Sequence, residues 1–295
     1  MPPRAAVSVI LPAWNSHQTV AACLNSLRAQ TFRDFEVILV DSSPGEETVK
    51  TVREKFPEIR LVHSPRRLWP HAARNLGASM ADGEILVFSD PDCVMSPQWL
   101  ERLVRGHREG HSTVGGSVGN AHDSWFLDGV HLCKYAWWLP GGRAGVRTEL
   151  PSANVSYSRA LFTHIGPFPE EWCGDTLLAH RSADAGVTPW FNPEAEVAHD
   201  HRTGVREFLR ERFQRGFDYG MVRPRLQRWG RGRTLAYVVG TPLTVLWLLI
   251  RAFWYAMPTG HFGTLVRCLP IVTIGYTARQ AGEALAHWSL AWRRS

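Results

Sequence analysis

Three short apolar runs, each closing on polar residues, constrain this chain more than any other feature. Val7 to Leu11 stops at Pro12 and Asn15, Phe35 to Val40 ends in Asp41, and Ile85 to Phe88 closes on Ser89 and Asp90. Helical periodicity lies between them, from about His17 to Ala29, Glu46 to Lys55 and Ala72 to Ala81, with a further strand at Arg60 to His63. This alternation predicts an α/β fold: a mixed, mainly parallel sheet covered by helices on both faces, with its ligand beyond the carboxyl ends of the strands. Asn15, Asp41 and Asp90 all fall at such ends.

Downstream the pattern predicts strands over Val114 to Gly119 and Ala153 to Tyr157, and an extended segment at Ala195 to His199. Helices are expected around His131 to Trp138, Arg159 to His164 and Thr176 to Ala185. With 295 residues, 44% of them apolar and 20% charged, the chain can bury a full core and is neither disordered nor made mostly of spanning helices. Five scattered cysteines without C-x-x-C spacing support neither a disulfide framework nor a zinc knuckle, and fit a reducing compartment. The first apolar run ends at Pro12, before a signal-peptide core is complete, so no export signal is read.

The strongest local signal is Asp90-Pro91-Asp92. Two carboxylates flanking one residue at a strand end can hold a hard divalent cation, Mg²⁺ or Mn²⁺, and leave coordination positions for phosphate oxygens. A solvated turn is the alternative. Asp41, an acceptor when ionised, selects a ring N–H such as that of uracil or guanine, or caps the helix that follows. Arg74 offers paired hydrogen bonds to phosphate or base oxygens, or forms a surface salt bridge. Trp99 reads as core packing.

The segments "VSVILPAWN", "FEVILVDSS", "HAARNLGASMADGEILVFSDPDCVMSPQWLE" and "LPSANVSYSRALFTHIGPFPE" resemble, in order, the motifs of the family 2 glycosyltransferases, inverting enzymes of the GT-A fold. The match covers about residues 6 to 201. It implies a nucleotide-diphosphate sugar as donor, a divalent metal, and an acceptor hydroxyl as nucleophile; the donor is expected to be UDP-linked. By resemblance Pro12, Ala13 and Asn15 lie along the nucleoside, Asp41 meets the base, Arg74 approaches the donor, Asp90 lies near its ribose and Asp92 is the metal ligand. Asp175 matches the family's catalytic base, although Gly174 stands where glutamate is common; Glu170 and Glu171 are alternative partners, and Asp175 is also placed to cap the next helix. His199 matches a metal or diphosphate ligand, with His201 as competitor. Asn154 and Arg181 fall on the acceptor side. The "QxxRW" signature of processive synthases is missing at its expected place, which favours single-sugar transfer.

These readings imply a catalytic domain over 1–201, with a nucleotide-binding half at 1–119 and an acceptor half at 120–201. A basic helical connector follows at 202–233 and an apolar helical, membrane-associated tail at 234–295. Thr234 to Ile250 holds no charge but is short for a span, and Gly240 with Pro242 predicts a kink. Spanning, re-entrant, interfacial and buried soluble readings all remain. Arginines just before an apolar run, in a chain of net charge +6, predict contact with an anionic membrane at its cytoplasmic face, peripheral or with one to two C-terminal segments. A lipid-linked or saccharide acceptor follows, in cell-surface polysaccharide or glycolipid synthesis. The rival is a catalytically silent nucleotide-sugar-binding subunit of a membrane complex. A nucleotidyltransferase would need a glycine-rich basic loop that "PAWNSHQ" lacks, and nucleic acid is not expected as a partner.

Overall fold

The computed structural model describes residues 5–170 and 173–293. Val7–Ala13 (β1), Val20–Arg28 (α1), Phe35–Asp41 (β2), Glu47–Lys55 (α2), Arg60–His63 (β3), Pro70–Met80 (α3) and Ile85–Ser89 (β4) alternate as the periodicity predicts. Val9, Ile10, Leu11, Ile38, Leu39, Val40, Val87 and Phe88 are fully buried, because helices cover both faces and leave no wet side to alternate towards. Next come Cys93–Met95 (β5), Trp99–Arg108 (α4), Thr113–Asn120 (β6), Trp125–Tyr135 (α5), Gly145–Val146 (β7) and Asn154–Ser158 (β8). Arg159–Ile165 (α6), Gly174–Asp184 (α7) and Trp190–His199 (β9) complete this part.

The strands form one sheet in the order β3-β2-β1-β4-β8-β6-β9-β5, with β7 also paired to β9. β3, β2, β1 and β4 run parallel, β8 is antiparallel to both β4 and β6, and β5 is antiparallel to β9. The register sets Ala13 beside Asp41 and Ile10 beside Phe88, so the chain leaves β1, β2 and β4 at one edge of the sheet.

Several boundaries differ from expectation. β5, α4 and β7 are additional elements, α5 starts at Trp125 instead of near His131, and β9 starts at Trp190 instead of Ala195. In β9, Pro193 interrupts the strand pattern; the sheet absorbs it through a register shift between Gly116 and Val118 of β6.

Two compact units divide the chain. One is formed by the chain up to Ala121 and again by Pro140–Asp200; the other by His122–Leu139 and everything from His201 onward. In the second unit Val205–Leu226 (α8), Arg231–Val239 (α9), Thr241–Ala256 (α10), Phe262–Arg267 (α11) and α5 all pack on Leu269–Arg293 (α12). Phe208, Leu248, Ala252, Leu265, Val272 and Tyr276 close with Val130, Cys133 and Leu139 into a core of their own. α9 and α10 meet at Gly240 with a bend of 71°. Among the described residues no single helix is long and apolar enough to cross a membrane.

Candidate active site

β1 delivers Pro12 and Ala13 to the sheet edge, where they line a cleft with Trp14, Arg67, Leu68, Trp69, Pro70 and Ala73. The Arg67 guanidinium lies between two indoles, 4.4 Å from the centre of the Trp14 ring and 4.3 Å from that of Trp69. The sequence reading missed this stack; the aromatic and basic residues of "PAWN" and "RRLWPHAARN" were its visible signal. Asn15 follows in the left-handed region, φ 52°, where asparagine is better tolerated than most residues. Its backbone N–H donates to Ser43 Oγ at 2.8 Å.

Asp41 lies beneath that loop and is fully buried. It accepts from Ser43 Oγ at 2.6 Å and from the Ser43 backbone N–H at 3.2 Å, and lies 2.9 Å from His63 Nδ1. It does not cap α2, whose N-cap is Glu46. Instead it fastens the β1 and β2 loops together through Ser43.

Arg74, in α3, is buried, and its Nη2 donates to Asp90 Oδ1 at 2.5 Å. Arg74 Nη1 lies 3.5 Å from His71 Nδ1, and His71 stacks on Phe168 with ring centres 5.3 Å apart. Asp90 therefore pairs with a guanidinium at the end of β4. Asp92 has different partners. β5 sets Cys93 opposite His199 of β9, the Asp200 N–H donates to the Asp92 carbonyl at 2.7 Å, and His199 Nε2 comes within 3.7 Å of Asp92 Oδ1. His201 points elsewhere: it is buried with its Nε2 3.0 Å from His131 Nδ1.

Asp92, Cys93 and His199 bring ligand atoms within 4.8 Å of one another. Two ligands on neighbouring octahedral positions, each about 2.1 Å from the ion, stand about 3 Å apart. The Asp92 and His199 atoms, 3.7 Å apart, lie near that spacing. Burial first, then the Asp92 and Asp90 charges, hold the Cys93 thiol well above the ordinary thiol range. Sulfur is a soft donor and suits a hard cation less well than oxygen or imidazole nitrogen, so Asp92 and His199 are the two of these residues that could hold such an ion, the imidazole suiting Mn²⁺ better than Mg²⁺.

Asp175 sits in the first turn of α7, partly buried, with its Oδ1 accepting from the Thr176 N–H at 2.9 Å. Burial and then the Asp175 charge raise the Tyr157 hydroxyl, while Arg74 lowers it, so both charges are near this buried ring. A Cβ at Gly174 would meet the Pro169 carbonyl oxygen at 2.3 Å and the His71 ring at 2.7 Å, which explains why no glutamate stands there. Glu171 lies outside the described residues.

Asn154 does not reach the crevice. It is fully buried, donating from Nδ2 to the Ser117 and Ala195 carbonyls, both at 2.8 Å, and accepting from Trp99 Nε1 at 2.8 Å. The family resemblance implied an acceptor-side residue here, yet this one ties β6, β8 and β9 to α4. Arg181 donates to the Ile165 and Pro167 carbonyls at the C-terminal end of α6.

The sequence pattern of glycosyl transferase family 2 matches residues 8–162, more than half of the chain. The chain belongs to glycosyl transferase family 2. This family 2 glycosyltransferase is 28% identical to the glycosyltransferase AglE of Haloferax volcanii over 71% of each chain. It is 29% identical to the undecaprenyl-phosphate 4-deoxy-4-formamido-L-arabinose transferase of Aeromonas hydrophila over 45% of this chain and 47% of that one. Its fold matches the mannosyltransferase PcManGT of Pyrobaculum calidifontis, solved with GDP-Man and Mn²⁺, at a TM-score of 0.65 and 20% identity, over all of this chain and 89% of the other. The fold is GT-A, with C-terminal helices.

Proposed function

We propose that this glycosyltransferase moves a sugar from a nucleotide-diphosphate donor, UDP-linked, to an acceptor hydroxyl on a lipid-linked saccharide, with inversion at the anomeric carbon. One observation carries the reading: Asp92 and His199, far apart in sequence, lie 3.7 Å apart beside the sheet edge that also presents Pro12, Ala13 and Asp90. Pro12, Ala13 and Asn15 receive the nucleoside, buried Asp41 stiffens that seat through Ser43 without reaching the base itself, and Asp90 with Arg74 faces the donor. Arg181 serves the acceptor side, whereas Asn154 supports the sheet behind it. Asp92 and His199 would hold a divalent cation, Mn²⁺ or Mg²⁺, which when bound would neutralise the charge that develops on the departing diphosphate.

Asp175 takes the acceptor proton as general base, a contribution of roughly 10² to 10⁴ in rate. The arginine-rich α8 and the apolar helices after it keep the enzyme at the cytoplasmic face of a membrane, where polysaccharide or glycolipid precursors are lipid-carried.

The undecaprenyl-phosphate transferase among the relatives favours a second reading, in which the nucleophile is a lipid phosphate oxygen. Such an oxygen is already ionised near neutral pH and needs no base.

Transfer and slow donor hydrolysis, measured across a panel of nucleotide sugars with Mn²⁺, test the proposal. Asp92→Ala should lose metal-stimulated turnover and weaken Mn²⁺ binding read by electron paramagnetic resonance; full activity without divalent cation sinks the metal role. Asp175→Asn should bind donor normally and lose turnover with a hydroxyl acceptor. Retained turnover with a polyprenyl phosphate selects the second reading.

A further inference from the structure

α10 is apolar on two opposite sides. Leu248, Ala252 and Ala256 pack inward on Leu265, Cys268 and Val272. On the other side Leu243, Leu246, Trp247, Ile250 and Trp254 recur at steps of three and four residues and are all exposed, Leu243 to 71% and Trp254 to 74%. Val239 at the end of α9 and Met257 just beyond α10 extend the same exposed apolar character, at 83% and 57%. A soluble surface helix turns a charged face to water, and this one does not.

Charge indicates what covers this face. No acidic residue occurs between Asp218 and Glu283, and Glu283 itself is buried and paired with Arg223 at 2.7 Å. Arg225, Arg228, Arg231 and Arg233 crowd the turn into α9, all exposed. Arg251, the sole charge on α10, lies back over the Trp137 and Tyr255 rings. The surface is thus apolar with a basic margin and two exposed indoles, the composition that suits a bilayer interface of anionic lipids.

Length selects the mode. Sixteen residues of α10 reach about 24 Å, short of the roughly 30 Å hydrocarbon core, and α9 departs from α10 at 71° instead of extending it. The inward side of α10 is already committed to the core of its own unit, so lipid cannot surround the helix.

We propose that α10 lies in the plane of an anionic membrane, with Leu243, Leu246, Trp247, Ile250 and Trp254 inserted at the boundary of headgroups and acyl chains and Arg225, Arg228, Arg231 and Arg233 on the phosphates. This gives a geometry to the membrane placement proposed above and concerns no residue of the donor site.

The test is co-sedimentation of the full chain, without nucleotide, on phosphatidylcholine vesicles with and without phosphatidylglycerol. Binding should require the anionic lipid and weaken with salt. Leu246→Glu with Trp254→Glu should reduce it by about tenfold or more with donor hydrolysis in solution unchanged. Replacing Arg225, Arg228 and Arg233 by Gln should remove the preference for anionic lipid. Cysteines placed at the exposed Pro242 and Pro258, at the two ends of α10, should both react with an impermeant maleimide from outside sealed vesicles. Reaction of only one end would mean a spanning helix and overturn the proposal. Equal sedimentation of wild type and the Glu variant would overturn it too, as would a dimer in solution that the Glu variant dissolves while vesicles bind neither. Donor hydrolysis is read separately, so its absence would count against the proposed reaction and leave the membrane geometry judged by sedimentation alone.

Discussion

Asp90 and Asp92 stand two residues apart, yet their neighbours give them different work. Asp90 compensates the buried Arg74, so Asp90→Ala leaves a guanidinium without its partner and should cost about 3 kcal/mol of stability as well as activity. Asp92 is more open, its side chain 35% exposed, and faces His199; Asp92→Ala should abolish metal-stimulated turnover and shift stability by less than about 1 kcal/mol. Urea denaturation of the two variants, read beside donor hydrolysis, checks the contrast. A different residue sets a pH dependence. Burial pushes His107, whose Nε2 lies 2.8 Å from Ser156 Oγ, down to about 4 from an ordinary 6.5, a shift worth roughly 3 kcal/mol. The folded state therefore refuses a proton that the unfolded chain accepts. Stability from this group is complete above pH 6.5 and is lost as pH falls towards 4. Denaturation at several pH values should show the difference between wild type and His107→Gln shrinking over that window; a constant difference would refute it.

Close packing of helices makes an element-scale prediction with two signs. A Cβ at Gly216 of α8 would meet the Arg279 carbonyl oxygen of α12 at 1.8 Å, so only glycine lets these helices approach as they do. Gly216→Ala should destabilise by about 1 to 3 kcal/mol and lower the Tm. Gly232, in the first turn of α9, has nothing within 4 Å of its Cβ position, and Gly232→Ala should raise stability by roughly 0.5 kcal/mol. The same contrast between local and distant causes explains what could be read in advance. β1, β2 and β4 were legible because strands buried on both faces are continuous apolar runs, and Asp41 and Asp90 were legible as their ends. β5 was not, since three residues exist as a strand only through pairing with β9. That pairing is what brings His199 to Asp92, so the order of chemistry along the chain was visible before its meeting point. Asn154 misled for the converse reason: its partners Ser117, Ala195 and Trp99 come from three other elements, and nothing near it in sequence announces them.

At the scale of the molecule, the C-terminal helices are more than an appendage, because the unit they form is completed by a segment from the middle of the chain. α5 contributes Val130, Leu132 and Cys133, with Ala136 and Leu139 beyond it, all buried against Phe208, Leu265, Val272 and Tyr276. Lys134 also pairs with Glu211 of α8 at 2.6 Å, and Asp128 with Arg267 of α11 at 2.7 Å. A chain ending after Asp200 keeps every strand of the sheet but strips α5 of the residues that cover it, exposing its apolar face. Such a truncation should aggregate or elute far above its monomer size, even though the family motifs lie entirely within it. Supplying residues 201–295 in the same cells should restore a soluble complex, because the missing core partners are then present in trans. Size-exclusion chromatography of both samples decides it: a monomeric, donor-hydrolysing truncation would show that α5 folds without its partners and that the second unit is dispensable to the first.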